Sequence, residues 1–100
     1  MRENLLEALW LTLLQLRYAA IVAEKGTITE AANELYISQP SLTKAIKELE
    51  KEMGITIFVR TNKGITISKD GEQFLSYARQ VLEQANLLEE KYKHTNSIIK

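Results

Sequence analysis

The sequence predicts a mainly α fold: a three-helix core, a two-stranded β hairpin and a long final helix. Apolar residues recur at helical spacing in several stretches. Glycine or a small hydroxyl residue stands where those helices must stop or start. One region rich in Ile, Val, Thr and Phe breaks the helical rhythm and marks the hairpin.

The first helix rests on Leu13, Leu16, Ala20 and Ala23, widened by Leu14, Tyr18, Ile21 and Val22, and stops at Gly26. Residues before Leu11 either extend it upstream or form a loose tail. Thr29 is the candidate N-cap of a short second helix through Leu35, which buries Ala31, Ala32 and Leu35. A tight break at Tyr36 and Ile37 follows. Ser38 is a second candidate N-cap, and Pro40 lies in the first turn, where a missing N–H costs nothing. The third helix repeats Leu42, Ile46 and Leu49, continues to Met53 and ends at Gly54.

Thr56–Arg60 and Gly64–Ser68 then read as hairpin strands around Thr61, Asn62, Lys63 and Gly64. Ser68 caps the fourth helix. Its seam is Phe74, Ala78, Val81, Ala85 and Leu88, with Leu75 and Leu82 beside it. The helix is expected to fray near His94 and Asn96, and Ser97 to Lys100 to begin a strand. Two helices joined by a tight turn, the second capped by Ser, suggest a helix-turn-helix, and the hairpin directly after it suggests a wing. The expected divisions are an extension over 1–10, a winged helix-turn-helix over 11–68, a linker helix over 69–93 and a connector over 94–100. Within them the helix-turn-helix spans about 28–47 and the wing about 56–68.

Composition narrows the function. One hundred residues, 45% hydrophobic and 26% charged, suit one soluble globular domain. There is no Cys, so disulfides, thiolate zinc sites and Cys nucleophiles are excluded; a reducing cytoplasm fits. The apolar stretch Leu5 to Ala23 carries Glu7, Gln15 and Arg17, which argues against a membrane span. Catalysis is not expected: His94 is the only His, and no Gly-rich phosphate loop follows a strand. Neither a cofactor nor a metal is expected.

The formal net charge is zero, so any case for nucleic acid rests on where the charges sit. Between Ser38 and Lys69, the cations Lys44, Lys47, Lys51, Arg60, Lys63 and Lys69 are answered only by Glu48, Glu50 and Glu52. The segment is locally basic within a neutral chain, and the glutamates are expected on the exposed face of their helix.

Leu16-Arg17-Tyr18, Ala31-Ala32 and the run Ile37-Ser38-Gln39-Pro40-Ser41-Leu42-Thr43-Lys44 resemble the LysR-type transcription regulators. So do Ile46, Leu49-Glu50, Gly54, Ile57-Phe58, Arg60, Thr61 and Gly64, and then Ser68, Gly71, Phe74 and Leu75. The resemblance implies a bacterial, cytoplasmic winged helix-turn-helix that binds double-stranded promoter DNA as a homodimer. Its linker helices would pack on each other. A small-molecule effector would bind only a larger domain that these 100 residues lack, as in an excised fragment or a natural truncation. Ala19 stands where Phe is common in the family, and Lys44 and Lys63 where Arg is common. Lys is a point charge without the guanidinium fork, which favours phosphate contact over base reading at those two places.

The candidate DNA contacts are Thr29, Ser38, Gln39, Pro40, Ser41, Thr43, Lys44, Lys47, Arg60, Thr61 and Lys63. Small polar groups suit the N-terminal end of a helix entering the major groove. Gln39 can pair with adenine, and the first amides of the helix can hold a phosphate. Ser38 is equally a plain cap. Arg60 either holds phosphate or pairs with a glutamate of the third helix. Lys63, at the hairpin tip, is either an ordinary turn lysine or reaches a minor groove or backbone. The apolar seam of the last helix is too long for so small a domain to cover, so Ala78, Val81, Leu82, Ala85 and Leu88 are the candidate dimer interface. The competing reading is a winged-helix protein-interaction module without DNA binding.

Overall fold

A computed structural model describes the backbone of residues 5–99 and the side chains of residues 12–93. The elements are α1 (Leu5–Lys25), α2 (Ile28–Leu35), α3 (Gln39–Met53), β1 (Phe58–Thr61), β2 (Gly64–Ile67) and α4 (Lys69–Ile99). The order is that of a winged helix-turn-helix followed by a long helix.

Each helix of the core turns a stripe inward. Leu16, Ala19 and Val22 of α1 meet Ala31 and Ala32 of α2 and Leu42, Ile46 and Leu49 of α3. Leu75 and Ala78 of α4 and Ile57, just before β1, complete the buried set. Ala19 is fully buried, and its short side chain is part of the packing of α1 in this core.

Local chemistry fixes the boundaries. Gly26 takes φ +81° and its N–H reaches the Val22 carbonyl at 2.9 Å, which closes α1. The cap of α2 is Thr27, not Thr29: the Thr27 hydroxyl accepts from the Glu30 N–H at 3.1 Å. Thr27 and Glu30 have the spacing of a capping box, with a helical Ile28 between cap and Thr29. Ser38 caps α3 and Gly54 ends it at φ +74°, both as expected. Ser68 caps α4 through its Oγ, which accepts from the Gly71 N–H at 2.8 Å.

At the N-terminus the first of the two expected forms is seen, and at the C-terminus the helix differs from expectation. The backbone of Leu5–Trp10 is helical and continuous with the rest of α1, while Met1 to Asn4 lie outside the described residues. Helix α4 runs past 93 to Ile99 instead of fraying, and residues 97–99 are helical rather than extended. No Gly or Pro follows Gly71, so nothing in the chain interrupts the helix. Lys100 lies outside the described residues.

The wing is antiparallel, with Phe58 opposite Ile67, Val59 opposite Thr66, Arg60 opposite Ile65 and Thr61 opposite Gly64. Alternation along the strands puts Phe58, Arg60, Ile65 and Ile67 on one face. Phe58, Ile65 and Ile67 pack against the core, so Arg60 shares the inward-turned face. Gly64, at φ +129°, lies so close to the α1–α2 turn that a Cβ would sit 2.7 Å from the Gly26 carbonyl oxygen. The Ile65 N–H donates to that same carbonyl at 2.9 Å, anchoring the wing to the start of the helix-turn-helix.

Tyr36, in the turn between α2 and α3, takes φ +59° and is 94% exposed. A bulky L-residue is strained in that left-handed conformation, which Asn tolerates better. Tyr36→Asn is therefore expected to raise the unfolding free energy by about 0.5–1 kcal/mol in urea melts. A loss of stability would contradict this account of the turn.

Candidate nucleic-acid interface

Helix α3 and the wing frame an open groove of about 840 Å³. Ile28, Gln39, Pro40, Thr43, Lys44, Lys47, Glu48, Lys51 and Arg60 line it. Six of the candidate contacts are thus gathered on one surface: Gln39, Pro40, Thr43, Lys44, Lys47 and Arg60. Lys51 joins them one turn beyond Lys47. Spacing from Lys44 through Lys47 to Lys51 already placed it on the same helical face.

The other candidates stand apart from the groove. Ser38 Oγ accepts from the Ser41 N–H at 3.1 Å and donates to Ser41 Oγ at 2.9 Å, so its hydroxyl is committed to the cap. Ser41 is exposed beside it. Thr29 is exposed in the first turn of α2 and is not the cap. The Thr61 hydroxyl is spent inside the hairpin turn, accepting from the Lys63 N–H and donating to the Gly64 carbonyl, each at 3.2 Å. Lys63 is exposed at the tip.

Arg60 does not pair with a glutamate of α3. Its Nη2 donates to Thr43 Oγ1 at 3.1 Å, linking the wing to the exposed face of α3. None of Lys44, Lys47, Lys51 and Lys63 is held in an ion pair among the described residues. Their charges are free to face an external anion.

Glu50 does not sit on an exposed face with Glu48 and Glu52. It is half-buried, and its Oε2 accepts from the Ile57 N–H at 2.7 Å and the Phe58 N–H at 3.0 Å. Glu50 lies four residues after the buried Ile46, on the flank of the apolar stripe, which is the signal that pointed inward. One of the carboxylates answering the local basic charge is thereby turned away from the groove. Among the described residues, no group of three His, Asp or Glu is arranged to hold a metal ion. No helix there is long and apolar enough to cross a membrane.

The far face of α4 also departs from expectation. Ala78 is 3% exposed and packs into the domain's own core, and Leu82 is packed against that core. Packing against the domain's own core therefore takes in Ala78 and Leu82, two of the five candidate dimer residues. Ala85 is half-buried beside α1, sharing a groove with Leu13, Leu14 and Leu82. Val81 and Leu88 are exposed, and Tyr77 and Tyr92 extend their stripe at helical spacing.

The model of the bacterial regulatory helix-turn-helix proteins of the lysR family matches residues 13–72. ClcR, an HTH-type transcriptional regulator of Pseudomonas putida, is 46% identical over 68 residues, covering 68% of this chain and 23% of the relative. YusT, an uncharacterized HTH-type regulator of Bacillus subtilis, is 42% identical over 82 residues, covering 82% of this chain and 27% of the relative. The chain thus spans about a quarter of the length of the curated relatives it matches. Among solved structures, CbnR, a LysR family transcriptional regulator, gives a TM-score of 0.76 at 34% identity, with 81% of this chain and 28% of that chain covered. The complex of BenM_DBD with catB site 1 DNA gives 0.78 at 33% identity, covering 85% of this chain and 96% of that one.

Removing the Glu50 carboxylate would leave two amides at the wing's root without their acceptor. Glu50→Ala is expected to lower stability by about 2–4 kcal/mol, and Glu50→Gln, which keeps an acceptor oxygen, by about 1 kcal/mol. Urea denaturation followed by circular dichroism reads both. A Glu50→Ala loss below about 0.5 kcal/mol would mean that the wing is held by other contacts.

Proposed function

Because this chain belongs to the LysR family of bacterial regulatory helix-turn-helix proteins, we propose that it is the DNA-reading part of a transcription regulator. The family consists of regulators rather than enzymes. The observation that carries the proposal is the groove. Its helix and wing line it with Gln39, Thr43, Lys44, Lys47, Lys51 and Arg60 against the single carboxylate of Glu48, while the Glu50 carboxylate is used inside. The N-terminal end of α3 enters the major groove of promoter DNA, with Gln39 and Thr43 at base edges. Lys44, Lys47 and Lys51 contact phosphates, and Lys63 at the wing tip reaches the adjacent minor groove or backbone. Support comes from the likeness to BenM_DBD and CbnR_DBD, both solved in complexes with DNA.

The same reading gives the chain a second copy as partner. The exposed stripe of Tyr77, Val81, Leu88 and Tyr92 on α4 has no cover among the described residues. A second α4 laid along it would bury those apolar side chains and set two reading heads on one duplex. The site of action is the cytoplasm, where promoter DNA is found in bacteria. A small-molecule effector would belong to the part of the longer relatives that this chain does not span.

Salt-titrated binding to promoter DNA, beside a scrambled duplex, tests the DNA reading. The promoter is expected to bind more tightly, and log K to fall linearly with log salt. Lys47→Ala should reduce the slope by about one unit without changing sequence preference. The Gln39→Ala/Lys44→Ala double variant should bind promoter more weakly and with a reduced preference over the scrambled duplex. Equal, salt-insensitive binding to both duplexes would overturn the proposal in favour of a protein-interaction module. For the dimer, Leu88→Glu is expected to weaken self-association at least about tenfold in sedimentation equilibrium. An unchanged dimer constant would remove the stripe from the interface.

A further inference from the structure

Thr43 is half-buried on the wall of the groove, one turn into α3, and Arg60 reaches it across from the wing. A threonine hydroxyl carries one proton and two lone pairs. Here one lone pair is taken by Arg60 Nη2 at 3.1 Å. The proton has no acceptor among the described residues: unlike a helical threonine bonded back to its own turn, Thr43 makes no other hydrogen bond there. Arg60 cannot take that proton, because a guanidinium is donor only and stays charged. The O–H therefore points away from Arg60.

The bond also changes what the hydroxyl can recognise. Accepting from a cation polarises the O–H and strengthens its donation. The nearby positive charge repels a base amino group and attracts a carbonyl oxygen or ring nitrogen. In the major groove, guanine offers O6 and N7, and thymine offers O4. Cytosine offers only its N4 amino donor, and adenine sets N7 beside an amino group.

We propose that Thr43 is a specificity-determining residue that selects guanine or thymine and rejects cytosine at one base step, and that Arg60 is the positioning residue that sets this polarity. The proposal deepens the DNA-binding reading and rests on it.

Selection from a random-sequence duplex pool tests both parts, with this chain and its Thr43→Ser, Thr43→Val and Arg60→Met variants. In the parent and in Thr43→Ser, cytosine is expected to be depleted at one position of the contacted strand, on the order of fivefold for one hydrogen bond. Thr43→Val keeps the branched shape but has no hydroxyl, so cytosine should return at that position alone. Arg60→Met should also restore cytosine there, although Thr43 is intact, along with a general loss of affinity. A Thr43→Val motif unchanged at every position would overturn the specificity role. Depletion retained in Arg60→Met would overturn the role of Arg60. If the parent chain enriches no motif at all, the DNA-binding reading itself fails, and this inference with it.

Discussion

The reading surface depends on one carboxylate. Glu50 sits in the second half of α3, yet its Oε2 holds the N–H groups of Ile57 and Phe58 at the root of the wing. Ile57 is fully buried, and its carbonyl accepts from the Ser68 N–H on the other side at 2.9 Å. Gly71 packs against that carbonyl so closely that no side chain fits. A single residue thus joins the recognition helix, the wing and the first turn of α4. Charge-assisted hydrogen bonds to a carboxylate are stronger than those between neutral groups, and here they add to the apolar packing of Ile57 and Phe58 on the core.

Two consequences follow for function. The wing is tied to α3 through Glu50 at its root and Thr43 at Arg60, and to the α1–α2 turn through the Gly26 carbonyl. These ties order the groove walls within the chain itself, and order already present lowers the ordering cost of binding. The neutral net charge also ceases to be an obstacle. Glu50 is occupied with backbone amides while the lysines of α3 remain unpaired, so the surface facing outward is more basic than the composition suggests.

The sequence made the order of elements legible because the punctuation is local. Gly26, Gly54, Ser38 and Ser68 each act within a turn of their own position, and each does what its type predicts. Thr27 was obscured by Thr29 nearby, although the Thr27–Glu30 spacing marked the true cap. What the pattern could not convey was contact across elements. Glu50 looked like one of three exposed glutamates, since its partners are backbone amides that have no sequence signature. Arg60 offered phosphate or a glutamate of α3 as partners, and within the chain its partner is Thr43 rather than a glutamate. Ala78 looked like part of a free seam, since periodicity reports which face is apolar but not which body covers it.

The central claim is that α3 and the wing form one surface that lies against duplex DNA. Methylation interference measures this most directly. Methylated guanine N7 blocks the major groove and methylated adenine N3 the minor groove. On a duplex bound by this chain, the account predicts interference at guanine N7 where α3 enters and at adenine N3 in the adjoining minor groove beneath the wing tip. Binding indifferent to both modifications would contradict it.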